Sequence, residues 1–158
     1  MMTNKAEPTQ LDEFLPYQLS IASNAASDRI AEVYRSQFAL RIPEWRIMAV
    51  LGDAGAATQR ELTARTVMDK VAVNRACRAL EERGLIDRAP NATDGRSHHL
   101  ALTGEGRAMY DRIMPLARQM ERRLFASFTP EERATFSDML SRVRQRAGEL
   151  DPQTGLDR

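Results

Sequence analysis

The chain has 158 residues, enough for one domain with a core and an appended dimerisation element. Its hydrophobic content of 42% and charged content of 28% exclude a disordered chain, and a net charge of +1 does not by itself indicate a nucleic-acid partner. No run approaches 18 apolar residues, and residues 1–10 lack the apolar middle of a signal peptide. We therefore expect a cytoplasmic protein with no membrane partner.

The residue types argue against metal and cofactor chemistry. Cys77 is the single cysteine, which excludes an intramolecular disulfide. The adjacent His98 and His99 point to opposite faces if they lie in a strand, so they cannot chelate one ion together. The chain also has no Gly-rich phosphate loop, nucleophile elbow or credible catalytic pair. We predict no enzyme, no metal site and no cofactor.

The first part of the chain predicts two helices. From Leu15 to Val33, apolar residues recur every three or four positions, which indicates an amphipathic helix. A break at residues 40–43 follows, with Pro43 suited to the first turn of a second helix. The turn formers at residues 52–55 are expected to stop that helix.

The next segment predicts two short helices joined by a tight turn. Thr58 and Glu61 match a capping box, in which each side chain binds a free amide at a helix start. Asp69 supplies another N-cap shortly afterwards, and the longer, basic helix that follows stops at Gly84. A short helix, a turn and a longer basic helix together indicate a helix-turn-helix.

The pattern then changes to that of a β-hairpin. Residues 85–89 and 98–102 are predicted strands, and residues 90–96 between them are rich in turn formers. A hairpin that directly follows a helix-turn-helix is a wing. The order of elements so far is therefore that of a winged helix-turn-helix lobe.

Two further helices are predicted after the hairpin. Thr103 caps the first, whose apolar residues recur as far as Phe128 and which Pro115 should kink. Thr129 begins a second capping box, and the last helix carries apolar residues to Leu150. The predicted order is helix–helix–helix–helix–hairpin–helix–helix, so the fold class is mainly α with a β wing.

Two blocks of the sequence resemble signatures of the MarR (multiple antibiotic resistance regulator) family of bacterial transcription factors. The first comprises residues 68–75 and 80–86, and the second comprises residues 94–97 and 100–103. They follow each other in the order and at the separation typical of the family, and the resemblance extends over about residues 15–150. It implies a homodimer whose N- and C-terminal helices intertwine and present two winged lobes to a palindrome.

The expected division of the chain follows from that resemblance. Residues 11–42 and 103–150 are assigned to the dimerisation helices, and residues 43–102 to the DNA-binding lobe. Residues 1–10 and 151–158 are assigned to tails, the first of them flexible. Independently of any family, the terminal helices carry more apolar surface than one small lobe can cover, which indicates a partner helix.

The second helix of the motif is expected to enter the major groove of double-stranded DNA. Three apolar residues face the core at helical spacing: Val73, Cys77 and Leu80. The positions left for DNA are Lys70, Val71, Ala72, Asn74, Arg75 and Arg78. Asn74 can bond an adenine edge, while Arg75 can read guanine or bind phosphate. Val71 and Ala72 can meet thymine methyls, and a plain solvated helix surface is the alternative.

Two other segments are expected to touch DNA. Thr58, Gln59 and Arg60 can donate to phosphate at the start of the first helix, where ordinary capping is the alternative role. Arg96 in the wing is expected to enter a narrow, A·T-rich minor groove, with plain solvation as the alternative. Asp94 should support the wing by bonding loop amides or by pairing with Arg96.

The resemblance also implies a small aromatic or phenolic anion as ligand, bound between the dimerisation helices and the lobe. Trp45 and Arg46 would border that crevice, and Tyr17 would reach it from the same or the partner subunit. The alternatives are a core role for Trp45 and an ion pair for Arg46. For Cys77 the alternatives are an oxidant sensor and an inert buried thiol. The inert role is preferred, because the sensing cysteines of relatives lie near the first helix.

The preferred hypothesis is a repressor that binds a pseudo-palindromic operator as a homodimer and leaves it when the ligand binds. The two recognition helices should then lie about 34–36 Å apart. One alternative is an activator or anti-silencer that responds to no ligand. The other is an interaction module that reuses the fold without binding DNA.

Overall fold

The computed structural model describes residues 10–90 and 97–150, so the predicted tails lie outside it except for Gln10. Within these ranges a 3₁₀ turn at Leu11–Glu13 precedes the first α-helix. The α-helices are α1 (Leu15–Phe38), α2 (Ile42–Ala54), α3 (Gln59–Thr66), α4 (Lys70–Glu82), α5 (Gly104–Leu124) and α6 (Pro130–Glu149). The strands are β1 (Ala56–Thr58), β2 (Ile86–Pro90) and β3 (His98–Leu102). None of the described helices is long and apolar enough to cross a membrane.

The described chain divides into two units, one up to Met120 and the other from Glu121. The core of the first unit takes side chains from α1, α2, α3, α4, the sheet and α5. Its largest fully buried side chains are Leu40, Ile47, Met48, Leu51, Leu62, Leu80, Leu100 and Ile113. The mainly α fold with a small β wing is confirmed.

Local caps produce the helix-turn-helix as predicted. The Thr58 hydroxyl accepts a hydrogen bond from the Glu61 amide at 3.2 Å, and the Glu61 carboxylate accepts one from the Thr58 amide at 3.0 Å. Asp69 caps α4 by accepting a bond from the Ala72 amide at 2.8 Å. Between the two helices, Val67 adopts the left-handed conformation with φ 55°, which turns the chain. The predicted capping box and N-cap are both confirmed.

The sheet contains one strand more than the sequence predicted. β1 pairs antiparallel with β3, which also pairs antiparallel with β2, so the strand order is β1-β3-β2. Ala57 lies opposite Leu100, and both side chains are buried. A three-residue strand shows no alternation that a pattern search can detect, and only pairing with β3 reveals it.

The first wing strand begins one residue later than predicted, at Ile86. The Leu85 amide bonds to the carbonyl of Leu80 at 3.0 Å and so belongs to the end of α4. Gly84 allows this closure because its φ of 69° favours glycine. The hairpin itself is confirmed, and the predicted strand at residues 98–102 is observed without shift.

The second unit corrects the predicted end of the fifth helix. Phe128 was placed on that helix, but α5 ends at Leu124. The chain turns back there because the rings of Phe125, Phe128 and Phe136 pack together, with centroids 5.3–6.0 Å apart. Thr129 then caps α6 through the predicted box.

Candidate nucleic-acid interface

Helix α4 has one buried face and one exposed polar face. Val73, Cys77 and Leu80 are 0–1% exposed, as the apolar spacing predicted. At 100° per residue, the exposed side chains cover an arc of about 140° on the other side of the helix. These are Lys70, Val71, Asn74, Arg75 and Arg78, with Glu82 exposed on the same side in the last turn. Ala72 lies at the margin of the arc and is half-buried. The helix therefore presents cationic, amide and small apolar groups together, as a base-reading helix requires.

The start of α3 joins one flank of this arc. Gln59, Arg60, Lys70, Val71 and Asn74 line a groove of about 700 Å³ between α3 and α4. The side-chain nitrogen Nε2 of Gln59 donates to Oδ1 of Asn74 at 3.3 Å. Thr58 precedes the groove as the cap of α3. The structure thus places Gln59 and Arg60 beside Lys70, Val71 and Asn74, which are part of the set predicted on α4.

Ala72 and Arg75 lie on the opposite flank of α4. They line a smaller groove, of about 220 Å³, together with Arg41, Pro43 and Glu44 at the start of α2. Arg78 is exposed one turn beyond Asn74 and lines neither of these two grooves. The predicted contacts of α4 therefore divide between two flanks of one helix.

Several cations of the lobe serve its structure. Arg65 pairs with Asp53 at 2.9 Å and ties α3 to α2. Arg88 of β2 pairs with Glu81 of α4 at 2.5 Å. Among the described residues, no ion pair occupies the basic side chains of the exposed arc or of the α3 start: Arg60, Lys70, Arg75 and Arg78. These four are available to an anionic partner such as DNA phosphate.

The wing can be described only at its base. Asp94 and Arg96 lie outside the described residues, and their predicted roles stay predictions. His98 is exposed, whereas His99 is half-buried and pairs with Thr58 of β1. Within residues 10–90 and 97–150, no three His, Cys, Asp or Glu side chains form a group that could hold a metal ion.

Comparison with known proteins identifies the lobe. A model of the MarR family matches residues 40–97, the segment that contains α2, the helix-turn-helix and the first wing strand. Within this segment the chain resembles the MarR family. Its relatives include the HTH-type transcriptional repressor Rv2887 of Mycobacterium tuberculosis, at 28% identity over 108 residues. That match covers 68% of this chain and 78% of the repressor.

Solved MarR structures share the fold. A cysteine-to-serine variant of MarR from E. coli, complexed with operator DNA, matches with a TM-score of 0.73 and 23% identity. The match covers 82% of this chain and 92% of that one. BpsR of Bordetella bronchiseptica, whose DNA binding is regulated by 6-hydroxynicotinic acid, matches with a TM-score of 0.77 and 21% identity. That match covers 92% of this chain and the whole of the BpsR chain.

One long-range contact of the lobe could not be predicted from the sequence. The guanidinium of Arg83, just after α4, donates to the carbonyls of Phe38 and Ala39 at 3.0 Å each. It thereby ties the end of the recognition helix to the end of α1. The partners are 44 and 45 residues away in the chain, so no spacing rule points to them.

Of the three residues predicted to bind a ligand, two lie together. Trp45 is 9% exposed and stacks on Tyr34, with ring centroids 5.7 Å apart, and on Tyr110 at 6.1 Å. Burial raises the pKa of Tyr34, and the positive charge of Arg46 opposes that rise. Arg107 lies over the Tyr110 ring at 5.3 Å. The stack therefore has an arginine at its Tyr110 end.

Tyr17 lies apart from this aromatic stack in the same chain. It is on α1, seventeen residues before Tyr34, which corresponds to about 25 Å along a helix axis. Its side chain is exposed. A site at Trp45 can therefore include Tyr17 only from a partner subunit.

Cys77 is expected to resist thiol reagents in the native protein. Its side chain is fully buried, and burial raises the pKa of its thiol, so little reactive thiolate is accessible. Absorbance of the thiolate released from Ellman's reagent should show slow reaction in buffer and one thiol per chain in guanidinium. Free glutathione in the same buffer is the control. Rapid, stoichiometric reaction of the folded protein would contradict the inert role and restore the oxidant-sensing alternative.

Proposed function

We propose that this protein is a MarR-family repressor that binds a pseudo-palindromic operator as a homodimer and leaves it when a small aromatic anion binds. The observation that carries the proposal is the two-faced recognition helix. One side of α4 is sealed in the core, while Lys70, Asn74, Arg75 and Arg78 are exposed on the other. Known repressors among its relatives, and a shared fold with a MarR protein on operator DNA, support it.

The proposed DNA contacts are of two kinds: phosphate contacts, which position the protein on the duplex, and contacts to base edges, which read its sequence. Thr58, Gln59 and Arg60 meet phosphate at the start of α3, where helix amides and the helix dipole favour an anion. Asn74 and Arg75 read base edges. The other proposed contacts of α4 are Lys70, Val71, Ala72 and Arg78. Arg96 enters the minor groove beside the base pairs that α4 reads, and Asp94 supports it.

A second copy of the chain supplies the dimer. Leu15, Leu19 and Ile21 are exposed on the first half of α1, and Met139 and Val143 are exposed on α6. Apolar rows of this kind on long helices are unfavourable in water and favour burial against a partner. The proposed domain division follows, with residues 11–42 and 103–150 forming the dimer and residues 43–102 the lobe.

The ligand is proposed to bind at the aromatic stack of Tyr34, Trp45 and Tyr110. The guanidinium of Arg107 lies over the Tyr110 ring, and Arg46 follows Trp45 in the chain. Aromatic rings next to positive charge suit an aromatic carboxylate that binds beside the stack. The control of BpsR by 6-hydroxynicotinic acid, an anion of this class, supports the choice. Tyr17 of the partner subunit would complete the site.

The test is fluorescence anisotropy with DNA from the region upstream of the protein's own gene, at several salt concentrations and with nonspecific competitor. We expect saturable binding with two subunits per site and an affinity that falls steeply with salt. Replacing Arg75 with alanine should cost about 1–3 kcal/mol of binding free energy and leave the melting temperature unchanged. Arg118→Ala, which removes an exposed arginine on α5, is the matched control.

Three results would contradict the proposal. If Arg75→Ala and Arg118→Ala bind as the native protein does, α4 does not read the operator. If the folded dimer binds no DNA against competitor, the lobe is an interaction module instead. Binding that no aromatic carboxylate reverses would favour the ligand-independent activator.

A further inference from the structure

The side chain of Gln59 bridges the two helices of the helix-turn-helix. Its Nε2 atom donates to Oδ1 of Asn74 at 3.3 Å, across fifteen residues of sequence. Gln59 is half-buried in the first turn of α3, while Asn74 is exposed on the recognition helix. The Gln59 side chain is therefore held by the fold, and the Asn74 side chain faces the major groove in the proposed complex.

Both ends of this contact are fixed by their surroundings. Thr58 caps α3 immediately before Gln59, and Asp69 caps α4 one turn before Asn74. Gln59 is itself half-buried and lines the groove between α3 and α4. Its side chain is thus held between the two helices where it meets Asn74.

We propose that Gln59 is a positioning residue that sets which way the Asn74 amide faces DNA. This inference rests on the proposed function. With Oδ1 engaged by Gln59, Asn74 directs its Nδ2 hydrogens outward. A donor group of this kind fits guanine, which presents the acceptors N7 and O6 side by side in the major groove. It fits adenine less well, because there the N6 amino group is itself a donor next to N7.

In this inference Gln59 acts on Asn74 instead of binding phosphate. A phosphate contact from a neutral amide adds affinity for every sequence alike. A positioning residue changes base preference instead. An equal loss of affinity for all sequences therefore indicates a phosphate contact, and a loss of base preference indicates a positioning residue.

The experiment selects binding sites from a library of randomised DNA duplexes with the full-length protein and three variants. The native protein should favour guanine over adenine by about tenfold at one position in each half-site. Gln59→Met keeps the length of the side chain without its donor, so that preference should fall below about threefold, without an equal loss of affinity for all sequences. Arg60→Met, the matched control in the same groove, should keep the preference and make the slope shallower.

A second variant keeps the test informative if Gln59→Met proves unstable. Gln59→Glu replaces the donor with an acceptor of the same length and is favourable in the first turn of a helix. It should rotate the Asn74 amide, turn Oδ1 outward and shift the preference from guanine to adenine or cytosine, whose amino groups donate. Its overall affinity should fall because a carboxylate repels phosphate.

Each outcome separates the inference from the proposed function. Unchanged guanine preference in Gln59→Met and Gln59→Glu overturns the inference, and an equal loss of affinity for all sequences in Gln59→Met would return Gln59 to a phosphate contact. In both cases the repressor proposal stands. If the native protein enriches no sequence from the library, the proposed function fails and the inference fails with it.

Discussion

Replacing Trp45 with alanine is expected to lower the free energy of unfolding by about 3–5 kcal/mol. The indole ring is only 9% exposed and lies between Tyr34 of α1 and Tyr110 of α5, so its loss leaves a cavity where three helices meet. Urea unfolding followed by far-ultraviolet circular dichroism measures the effect. Fluorescence is unsuitable for this variant, because Trp45 is the single tryptophan of the chain.

Trp45→Phe is the matched control, because it keeps an aromatic ring in the stack. We expect it to lose less than half as much stability as the alanine variant. A loss below about 1 kcal/mol in Trp45→Ala would contradict the core role, since truncation of a packed ring costs more than that. It would instead favour the interpretation of Trp45 as the wall of an open crevice.

The stacking of Trp45 also limits how a ligand can bind. A ring that already stacks on two tyrosines has only its edge to offer, so a ligand must move a neighbour or bind beside the stack. Addition of an aromatic carboxylate should therefore change the fluorescence of Trp45 in the native protein. Such a change links ligand binding to the junction of α1, α2 and α5.

Replacing Gly106 with alanine is expected to destabilise the fold by about 3 kcal/mol. A Cβ at this position of α5 would fall on the carbonyl oxygen of Leu85 and 2.9 Å from its carbonyl carbon. That oxygen also accepts a hydrogen bond from the Thr103 amide at 3.0 Å. The new methyl group must push α5 away from the base of the wing, so we expect lower DNA affinity too. Urea unfolding and anisotropy measure the two effects.

Gly104→Ala is the matched control, two residues earlier in the same helix. A Cβ there meets nothing within 4 Å, and alanine favours a helix over glycine by up to about 1 kcal/mol. Its stability should therefore stay the same or rise slightly. Equal unfolding free energies for the two variants would mean that the contact between Gly106 and Leu85 relaxes without cost.

Local signals predicted the helix-turn-helix well. Thr58 and Asp69 cap α3 and α4 with bonds that close within three residues, so the residue types alone show where those helices begin. The apolar spacing through Val73, Cys77 and Leu80 likewise showed which face of α4 is buried. The polar face left over contains most of the proposed DNA contacts.

Local sequence signals could not predict the features that depend on tertiary contacts. β1 exists because Ala56–Thr58 pairs with β3, and three residues carry no period of their own. The predicted fifth helix ran too far because Phe128 has the right spacing for it, whereas its ring packs better against Phe125 and Phe136. In both places tertiary contacts outweighed the local pattern.

The sequence by itself determined the order of the helices, the caps of the helix-turn-helix and which face of α4 is buried. These features depend on hydrogen bonds and spacings within a few residues, which the chain carries wherever it folds. Only the tertiary structure decided that Trp45 stacks between two tyrosines, that Arg83 holds the end of α1 and that Gln59 holds Asn74. These pairs are 11 to 65 residues apart, and packing of the whole first unit brings them together.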